Sequence, residues 1–330
     1  MEKILSVSVA CYNLGEMILD NLKSFCESDV ANDIELIVTD DGSKDNTVAI
    51  VEEYAQKYPN VIKLIKKKNE GPGSTVNSGI QNATGKYFRM VDGDDWVDSN
   101  NLIQFVKFLK EYDCDMIISD YAIYDNSTSN ISEIKRCSIK SNQVYNIDDV
   151  SLQLADQMHA VTYKTKIFQE NNIVLDNGFY TDVEYLLYPI KNVKTVAYFD
   201  KTIYMYRVGQ AGQSVNVNSM KKNINQHDLV LSKLISFYET NKKYMSVGQC
   251  EYIKKRLAEM CSTQLGTLLL FEPNKENKLK VISFINLIKS KSVDIYKVFA
   301  KSKRCKALVF SNYVLYGVIV KMYLKRYKNN

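Results

Sequence analysis

The stretch KYFRMVDGDDW, residues 86–96, joins an apolar run to three aspartates within four positions. KYFRMV is typical of a buried β-strand, and Asp92, Asp94 and Asp95 follow where that strand would end. Carboxylates this close repel one another, so a protein keeps them where a turn needs them or where a cation neutralises them. In DGD the first and third residues can face one Mg²⁺ or Mn²⁺ ion on a diphosphate. The alternative is an acidic turn before a helix that begins near Ser99.

Around this stretch, short apolar segments alternate with amphipathic ones. The predicted strands are residues 4–10, 34–39, 61–66 and 86–91, and the predicted helices are residues 16–26, 47–57 and 74–83. Strands separated by helices of about ten residues indicate βαβ units, and therefore a mainly parallel sheet. In such sheets ligands bind beyond the carboxyl ends of the strands.

Each of the four predicted strands ends in a polar loop. These loops contain Tyr12 and Asn13, Asp40 and Asp41, Asn69 and Gly71, and Asp92 to Asp95. Because the carboxyl ends of parallel strands share one edge of a sheet, we expect the four loops to converge. The sequence therefore predicts a ligand site at that edge.

The pattern of the remaining sequence predicts a second part of the molecule that is mainly helical. A further strand is expected at residues 114–120, a loop or hairpin at residues 121–142, and mixed strands and helices over residues 160–206. From Met220 the pattern is helical, so a boundary is predicted between Val208 and Met220. We expect one domain over residues 1–215, with halves 1–120 and 121–215, and a helical region over residues 216–330.

Composition narrows the classes of function. The seven cysteines form no C-x-x-C pair and the two histidines have no partner at ligand spacing, so neither zinc nor a histidine metal centre is expected. The net charge of +5 arises from residues 301–330, which hold eight Lys or Arg and no Asp or Glu. This localised charge favours an anionic surface as partner over nucleic acid. The first residues do not read as a signal peptide, which predicts a cytoplasmic location.

The motifs SVSVACYN (6–13), VTDDGSKDNT (38–47), NEGPGSTVNSGI (69–80), GKYFRMVDGDDWVD (85–98), FYTDVEY (179–185) and YMYR (204–207) together resemble the inverting nucleotide-sugar glycosyltransferases of family two. The resemblance covers about residues 4–215. It implies an α/β fold, the Rossmann-like nucleotide-diphospho-sugar transferase fold of A type, with a mixed, mainly parallel central sheet. A C-terminal helical appendage would follow it.

The resemblance also implies roles for residues of the first half. Asp94 would bind the metal, Asp92 the ribose or a metal-bound water, and Asp95 is a weaker candidate. Asp41 would contact the base with Asp40 in support, although an Asp-Gly turn alone explains this pair. The other residues that would bind the donor are Ala10 and Tyr12, as one wall of the nucleoside pocket, with Asn13, Asn69, Gly71, Asn77 and Gly93.

Two departures from the family concern charge. Val76 stands where many members carry an arginine before the residue aligned with Asn77, so a cation that could face the nucleotide is missing. Lys67, Lys68 and Arg89 are expected to be solvated surface residues, and supply of that charge by one of them is the alternative. Thr181 replaces a glutamate, while Asp182 fills the position of the general base. A helix N-cap is the alternative for Asp182. Arg207, expected on a flexible glycine-containing loop, would reach the diphosphate or the acceptor, or serve only structure.

The predicted function is metal-dependent transfer of a sugar from a UDP-sugar to a hydroxyl of a saccharide or lipid-linked saccharide, in cell-surface polysaccharide synthesis. The alternative is an inactive homologue that acts as a partner subunit. A dinucleotide-binding enzyme would need G-x-G-x-x-G after the first strand, where this chain has CYNLGE.

The basic tail contains fourteen mostly apolar residues between Lys306 and Lys321. One helix of that length extends about 21 Å against about 30 Å of hydrocarbon, so it cannot readily span a bilayer. With basic residues on both sides, it is predicted to lie peripherally on an anionic membrane surface, on the inner face of the cell membrane. A buried terminal helix with a solvated basic end is the alternative.

Overall fold

The computed structural model describes residues 2–135, 137–155, 157–178, 180–209 and 217–328. The chain divides into two compact units, Met1–Ala211 and Gly212–Asn330. The boundary predicted between Val208 and Met220 includes residues 210–216, which lie outside the described residues. The division into a catalytic domain and a helical region therefore stays a prediction in its exact limits.

In the described part of the first unit, one sheet of ten strands forms the centre. Its strands are β1 (Leu5–Cys11), β2 (Ile34–Asp40), β3 (Ile62–Lys66), β4 (Tyr87–Asp92), β5 (Trp96–Val97), β6 (Met116–Asp125), β7 (Asn130–Ile134), β8 (Val144–Asn146), β9 (Val161–Lys164) and β10 (Thr195–Val208). The order is β3-β2-β1-β4-β9-β6-β10-β5, with β7 beside β6 and β8 beside β10. β3, β2, β1 and β4 run parallel, as do β6 and β10, while β9 is antiparallel to both neighbours. The expected mixed, mainly parallel sheet is confirmed.

Amphipathic helices connect and cover these strands. They are α1 (Ile18–Cys26), α2 (Thr47–Lys57), α3 (Pro72–Asn82), α4 (Ser99–Glu111), α5 (Ile147–Val150), α6 (Thr165–Glu170) and α7 (Thr181–Leu187). In α1 the side chains of Ile18, Leu22 and Phe25 are fully buried, at the spacing that places them on one face. The start of α4 is fixed by Asp98, whose carboxylate accepts the backbone N–H of Asn101 at 2.8 Å.

The segment predicted as a loop or hairpin, residues 121–142, is partly strand. β6 continues to Asp125 and pairs antiparallel with β7, which gives the hairpin alternative. Its outer strand β7 is mostly exposed, because neither face of the strand is apolar enough to pack against the protein. The polar composition therefore marked an edge hairpin and not an irregular loop.

Helices make up the described part of the second unit. They are α8 (Val217–Lys222), α9 (Ile224–Asn241), α10 (Val247–Leu268), α11 (Lys275–Lys291), α12 (Val293–Phe299), α13 (Lys303–Phe310) and α14 (Tyr316–Lys328). α10 begins with a capping box in which the Ser246 side chain accepts the Gln249 backbone N–H, and Gln249 in turn accepts the Ser246 N–H. The expected C-terminal helical appendage is confirmed.

The apolar stretch of the tail is not the single helix that was predicted. α13 ends at Phe310, Asn312 and Tyr313 take positive φ angles of 46° and 60°, and α14 begins at Tyr316. Leu308 and Val320 are fully buried, so one side of each helix packs within the unit. Among the described residues, no helix has both the length and the apolar character to cross a membrane.

Candidate active site

The parallel register brings the ends of four strands to one edge of the sheet. Cys11 of β1 pairs with Asp40 of β2, and Ala10 of β1 pairs with Asp92 of β4. The loop after β3 follows Lys66, which pairs with Asp40. The polar residues predicted to converge are therefore neighbours at a single rim.

Asp40 and Asp41 hold the loops of this rim through backbone donors. Asp40 accepts the N–H groups of Gly42 and Ser43, each at 3.1 Å. Asp41 accepts those of Glu70 and Gly71, each at 2.9 Å, and so ties the loop after β2 to the loop after β3. The structure thus contains both the Asp-Gly turn and a hydrogen-bonded link between the two loops. Contact of Asp41 with a base stays a prediction.

Asn13 and Tyr12 form the corresponding end of β1. The Asn13 side-chain oxygen accepts the Lys44 N–H at 2.8 Å, and the Asn13 N–H donates to the Ser43 hydroxyl at 2.9 Å. Tyr12 is 47% exposed beside them, so its ring is accessible to a ligand as a pocket wall would require. Ala10 is half-buried at the last part of the strand.

The predicted glycines lie where the chain passes close to other backbone. A Cβ on Gly71, whose φ is 97°, would lie 2.0 Å from the Asn177 carbonyl oxygen. A Cβ on Gly93 would lie 2.6 Å from the Ala10 carbonyl oxygen. Both positions therefore exclude any side chain. Asn69, between these loops, is exposed.

Asn77 and Val76 lie on α3 and face the protein. The Asn77 amide donates to the Leu175 carbonyl at 2.8 Å and accepts the Leu175 N–H at 2.9 Å, which holds the segment before α7. Val76 is fully buried. Donor contact by Asn77 stays a prediction, and the geometry gives its amide a structural task.

The three aspartates after β4 form a tight turn, in which the Asp95 N–H donates to the Asp92 carbonyl at 3.1 Å. Burial raises the pKa of Asp92 to about 7, with further contributions from the charges of Asp94 and Asp182. Burial also raises the pKa values of Asp94 and Asp95, the latter strongly. Such a cluster is costly without a positive charge, so the donor set fits a hard divalent cation held by Asp92 and Asp94.

Asp95 has a supporting position in this turn. It is 1% exposed, and its carboxylate accepts the Tyr204 hydroxyl at 2.6 Å and the Arg207 backbone N–H at 2.7 Å. Each carboxylate oxygen thus has a donor from β10. These contacts fix the acidic turn against the neighbouring strand.

Arg207 lies in β10 and not on the flexible loop that was predicted. Its Nε donates to the Asp94 carbonyl at 2.9 Å, and its guanidinium pairs with Asp20 at 2.5 Å. The same group lies 4.5 Å from the centre of the Trp96 ring. These contacts hold the side chain, so Arg207 supports the turn of Asp94. A contact of Arg207 with diphosphate or acceptor stays a prediction.

Asp182 lies in the first turn of α7. The N-cap position is Tyr180, with φ 70° and no capping bond from its side chain, so Asp182 is the second helical residue and not the cap. Its charge raises the pKa of Asp92, which places the two carboxylates within electrostatic reach of each other. Asp182 therefore lies near the acidic turn, and its role as the base stays a prediction.

Two residues of the site have surroundings that the sequence did not show. Arg89 is fully buried instead of solvated, because its guanidinium donates to the Thr162 hydroxyl at 2.9 Å and to the His159 carbonyl. His159 has no partner at ligand spacing along the chain, yet in space one ligand atom from each of His159, Asp92 and Asp95 lies within 4.8 Å of the other two. Spacing along the chain could not show this neighbourhood. Whether a histidine takes part in a metal site stays a prediction.

Arg89→Met is expected to lower the free energy of unfolding by about 3 kcal/mol, because it leaves the carbonyl of His159 and two hydroxyls without their donor. Urea unfolding followed by circular dichroism measures the change. Lys68→Met, at an exposed side chain on the loop after β3, is the control and should change stability by less than about 0.5 kcal/mol. Equal stability of the two variants would contradict the structural role of Arg89.

Comparison with known proteins agrees with this geometry. The sequence model of glycosyl transferase family 2 matches residues 6–170. Glycosyltransferase GlyG of Streptococcus pneumoniae serotype 4 is 32% identical over 130 residues, which are 39% of this chain and 43% of GlyG. The cholesterol galactosyltransferase of Borreliella burgdorferi is 25% identical over 320 residues, covering 90% of this chain and 87% of that protein.

A solved structure extends the likeness to the fold. S. aureus TarS 1–349, in complex with UDP-GlcNAc, superposes with a TM-score of 0.66 at 17% identity and covers 97% of this chain and 92% of its own. At that identity the match shows a shared A-type fold. With half of the sequence matched by the family model, and the fold in agreement, the chain belongs to glycosyl transferase family 2.

Proposed function

We propose that the chain is a metal-dependent inverting glycosyltransferase that moves a sugar from a UDP-sugar to a hydroxyl of a saccharide or lipid-linked saccharide, in synthesis of a cell-surface polysaccharide. The observation that carries this proposal is the pair of neighbouring acidic elements at one rim. Asp92 ends β4, Asp94 follows it in the turn, and Asp182 is the second residue of α7, within electrostatic reach of Asp92.

The choice of donor and acceptor class draws on the relatives. TarS is described in complex with UDP-GlcNAc, which supports a UDP-sugar as donor for this fold. The cholesterol galactosyltransferase is named for a lipid acceptor, which supports an acceptor at or near a membrane. GlyG and this chain share less than half of either length, so its likeness supports only the chemistry of the matched segment.

In the proposed reaction Asp182 accepts the proton of the acceptor hydroxyl as that oxygen attacks the anomeric carbon. Attack opposite the leaving UDP inverts the anomeric centre in one displacement. Asp92 and Asp94 would hold Mn²⁺ or Mg²⁺, which when bound neutralises charge on the diphosphate. The Asp95, Tyr204 and Arg207 contacts keep the acidic turn in place while charge develops.

A screen of UDP-sugars with Mn²⁺ tests the proposal. One UDP-sugar is expected to raise the melting temperature and to be hydrolysed slowly to UDP in the absence of acceptor. Stabilisation without any release of UDP would instead indicate the inactive homologue. A lack of both effects with every UDP-sugar would contradict the proposal.

The tail is proposed to contact an anionic membrane surface. On α13, α14 and the turn between them, apolar side chains point outward, with Phe310 91%, Val314 77% and Met322 70% exposed. Residues 301–330 carry only basic charge, so the exposed apolar side chains stand beside cations. That combination suits a surface of anionic lipid, where each basic residue contributes about 1 kcal/mol.

The triple variant Phe310→Ser, Val314→Ser, Met322→Ser is expected to lose at least about tenfold in binding to vesicles that contain anionic lipid, because it removes the apolar contact. Co-sedimentation measures the effect. The control changes exposed apolar residues elsewhere in the same unit, Tyr244→Ser with Val247→Ser. Equal loss in both variants, or none in the first, would contradict the tail as the contact.

A further inference from the structure

His159 lies at the same rim as the acidic turn although it comes from a distant part of the chain. It belongs to the single helical turn Met158–Ala160, directly before β9. One ligand atom from each of His159, Asp92 and Asp95 lies within 4.8 Å of the other two. Resting on the function proposed above, we infer that the His159 imidazole binds the divalent cation directly and makes the site prefer Mn²⁺ to Mg²⁺.

The backbone of His159 is held in place by the buried guanidinium of Arg89. The Arg89 guanidinium donates to the His159 carbonyl and, at 2.9 Å, to the Thr162 hydroxyl. Arg89 is on β4, the strand that ends at Asp92, so one strand positions both the carboxylate and the imidazole. A ligand group needs such support, because small displacements weaken a metal site.

The imidazole ring is fixed by three aromatic side chains. Its centre lies 4.4 Å from that of Tyr206, 4.7 Å from that of Tyr204 and 5.2 Å from that of Tyr121. Tyr206 is nearly parallel to it, at 27°, and Tyr204 meets it edge-on, at 65°. The ring therefore has little freedom to turn away from the carboxylates.

The contacts of Asp95 indicate which residues of the cluster would bind the cation and which would support them. Each of its carboxylate oxygens already accepts a hydrogen bond, from Tyr204 and from the Arg207 backbone. Asp95 thus supports the cluster, and Asp92 and His159 are the donors that we assign to the cation. Asp94, on the same turn, supplies a further carboxylate.

The presence of a nitrogen ligand has a chemical consequence. Both ions favour oxygen ligands, and Mg²⁺ keeps much of its water. Mn²⁺, as a first-row transition metal, accepts one imidazole nitrogen beside carboxylate oxygens more readily than Mg²⁺ does. Loss of a well-placed ligand group or its support typically weakens metal binding about 10 to 100-fold. Removing the imidazole should therefore weaken Mn²⁺ binding and leave Mg²⁺ binding nearly unchanged.

Electron spin echo envelope modulation of the Mn²⁺–UDP complex tests the coordination directly. The wild-type protein should show modulation from a directly bound ¹⁴N nucleus, and histidine labelled with ¹⁵N should replace it with the ¹⁵N pattern. The chain has only two histidines, so His227→Asn is the matched control and should keep the signal, whereas His159→Asn should lose it. The labelled wild type needs no substitution, so the result does not depend on the folding of a variant.

Calorimetry completes the test. For His159→Asn the Mn²⁺ dissociation constant in the presence of UDP should rise about 10 to 100-fold, with the Mg²⁺ constant changed by less than about threefold. If Mn²⁺ binds with UDP but shows no histidine nitrogen coupling, this inference is overturned and the proposed function stands. If Mn²⁺ does not bind with UDP at all, both are overturned.

Discussion

Asp94→Ala is expected to abolish the enhancement of UDP binding by Mn²⁺ and to lower sugar transfer by about 10³-fold. The carboxylate of Asp94 belongs to the cluster whose pKa values are raised by burial, so a bound cation would stabilise its charged form. The backbone of Asp94 carries the bond from Arg207, and the substitution leaves that bond in place. Calorimetry of UDP with and without Mn²⁺ measures the effect on binding.

Asp98→Ala is the matched control, because it removes a carboxylate four positions away on the same loop. Asp98 caps α4, so this variant should lose about 1 kcal/mol of stability and keep the enhancement by Mn²⁺. Unchanged enhancement in Asp94→Ala would remove Asp94 from the metal site. Transfer without metal by the wild type would remove metal dependence altogether.

Asp182→Asn is expected to reduce transfer by at least about 10²-fold, with the UDP affinity and melting temperature near those of the wild type. A sugar hydroxyl is a poor nucleophile at neutral pH, and the amide cannot accept its proton. The substitution keeps the size of the side chain. Since Tyr180 holds the N-cap position, the change removes no capping group.

The control for this variant is Asp149→Asn, which removes an exposed carboxylate from the first turn of α5. Both changes remove an acidic residue at a helix start, worth about 0.3 to 1 kcal/mol. Of the two, Asp182 is the one whose charge raises the pKa of Asp92. A normal rate of transfer by Asp182→Asn, or a loss explained by unfolding, would assign Asp182 to structure. The base would then have to be another residue of the acceptor half.

Local patterns were sufficient for the elements of the donor half. The predicted helix at residues 47–57 has the bounds observed for α2, and the strand before the acidic turn ends at Asp92 as expected. These elements depend on periodicity and on turn residues, which are read within one window of sequence. The break of the tail into two helices was missed, because Asn312 is a weaker signal than glycine for a positive φ angle and Tyr313 is no signal at all.

The surroundings of side chains whose partners are distant in sequence could not be predicted from local patterns. Arg89 meets partners 30 to 73 positions away, and a charged residue inside a strand pattern gives no hint that they exist. His159 joins Asp92 only because β9 enters the sheet beside β4. Arg207 and Asn77 are likewise defined by contacts across 112 and 98 positions. The roles of the site residues depend on such pairings.

The close passage of residues 176–177 over the glycines of α3 and the loop before it affects how genetic data on this protein should be interpreted. A Cβ on Gly73 would lie 1.7 Å from the Asp176 carbonyl oxygen, and one on Gly71 only 2.0 Å from that of Asn177. In a saturation library nearly every codon change at these two positions should score as inactive. Gly71 and Gly73 would then be as intolerant of substitution as Asp94, although the reason is that no side chain fits there. Intolerance alone should therefore not be taken as a sign of contact with the donor.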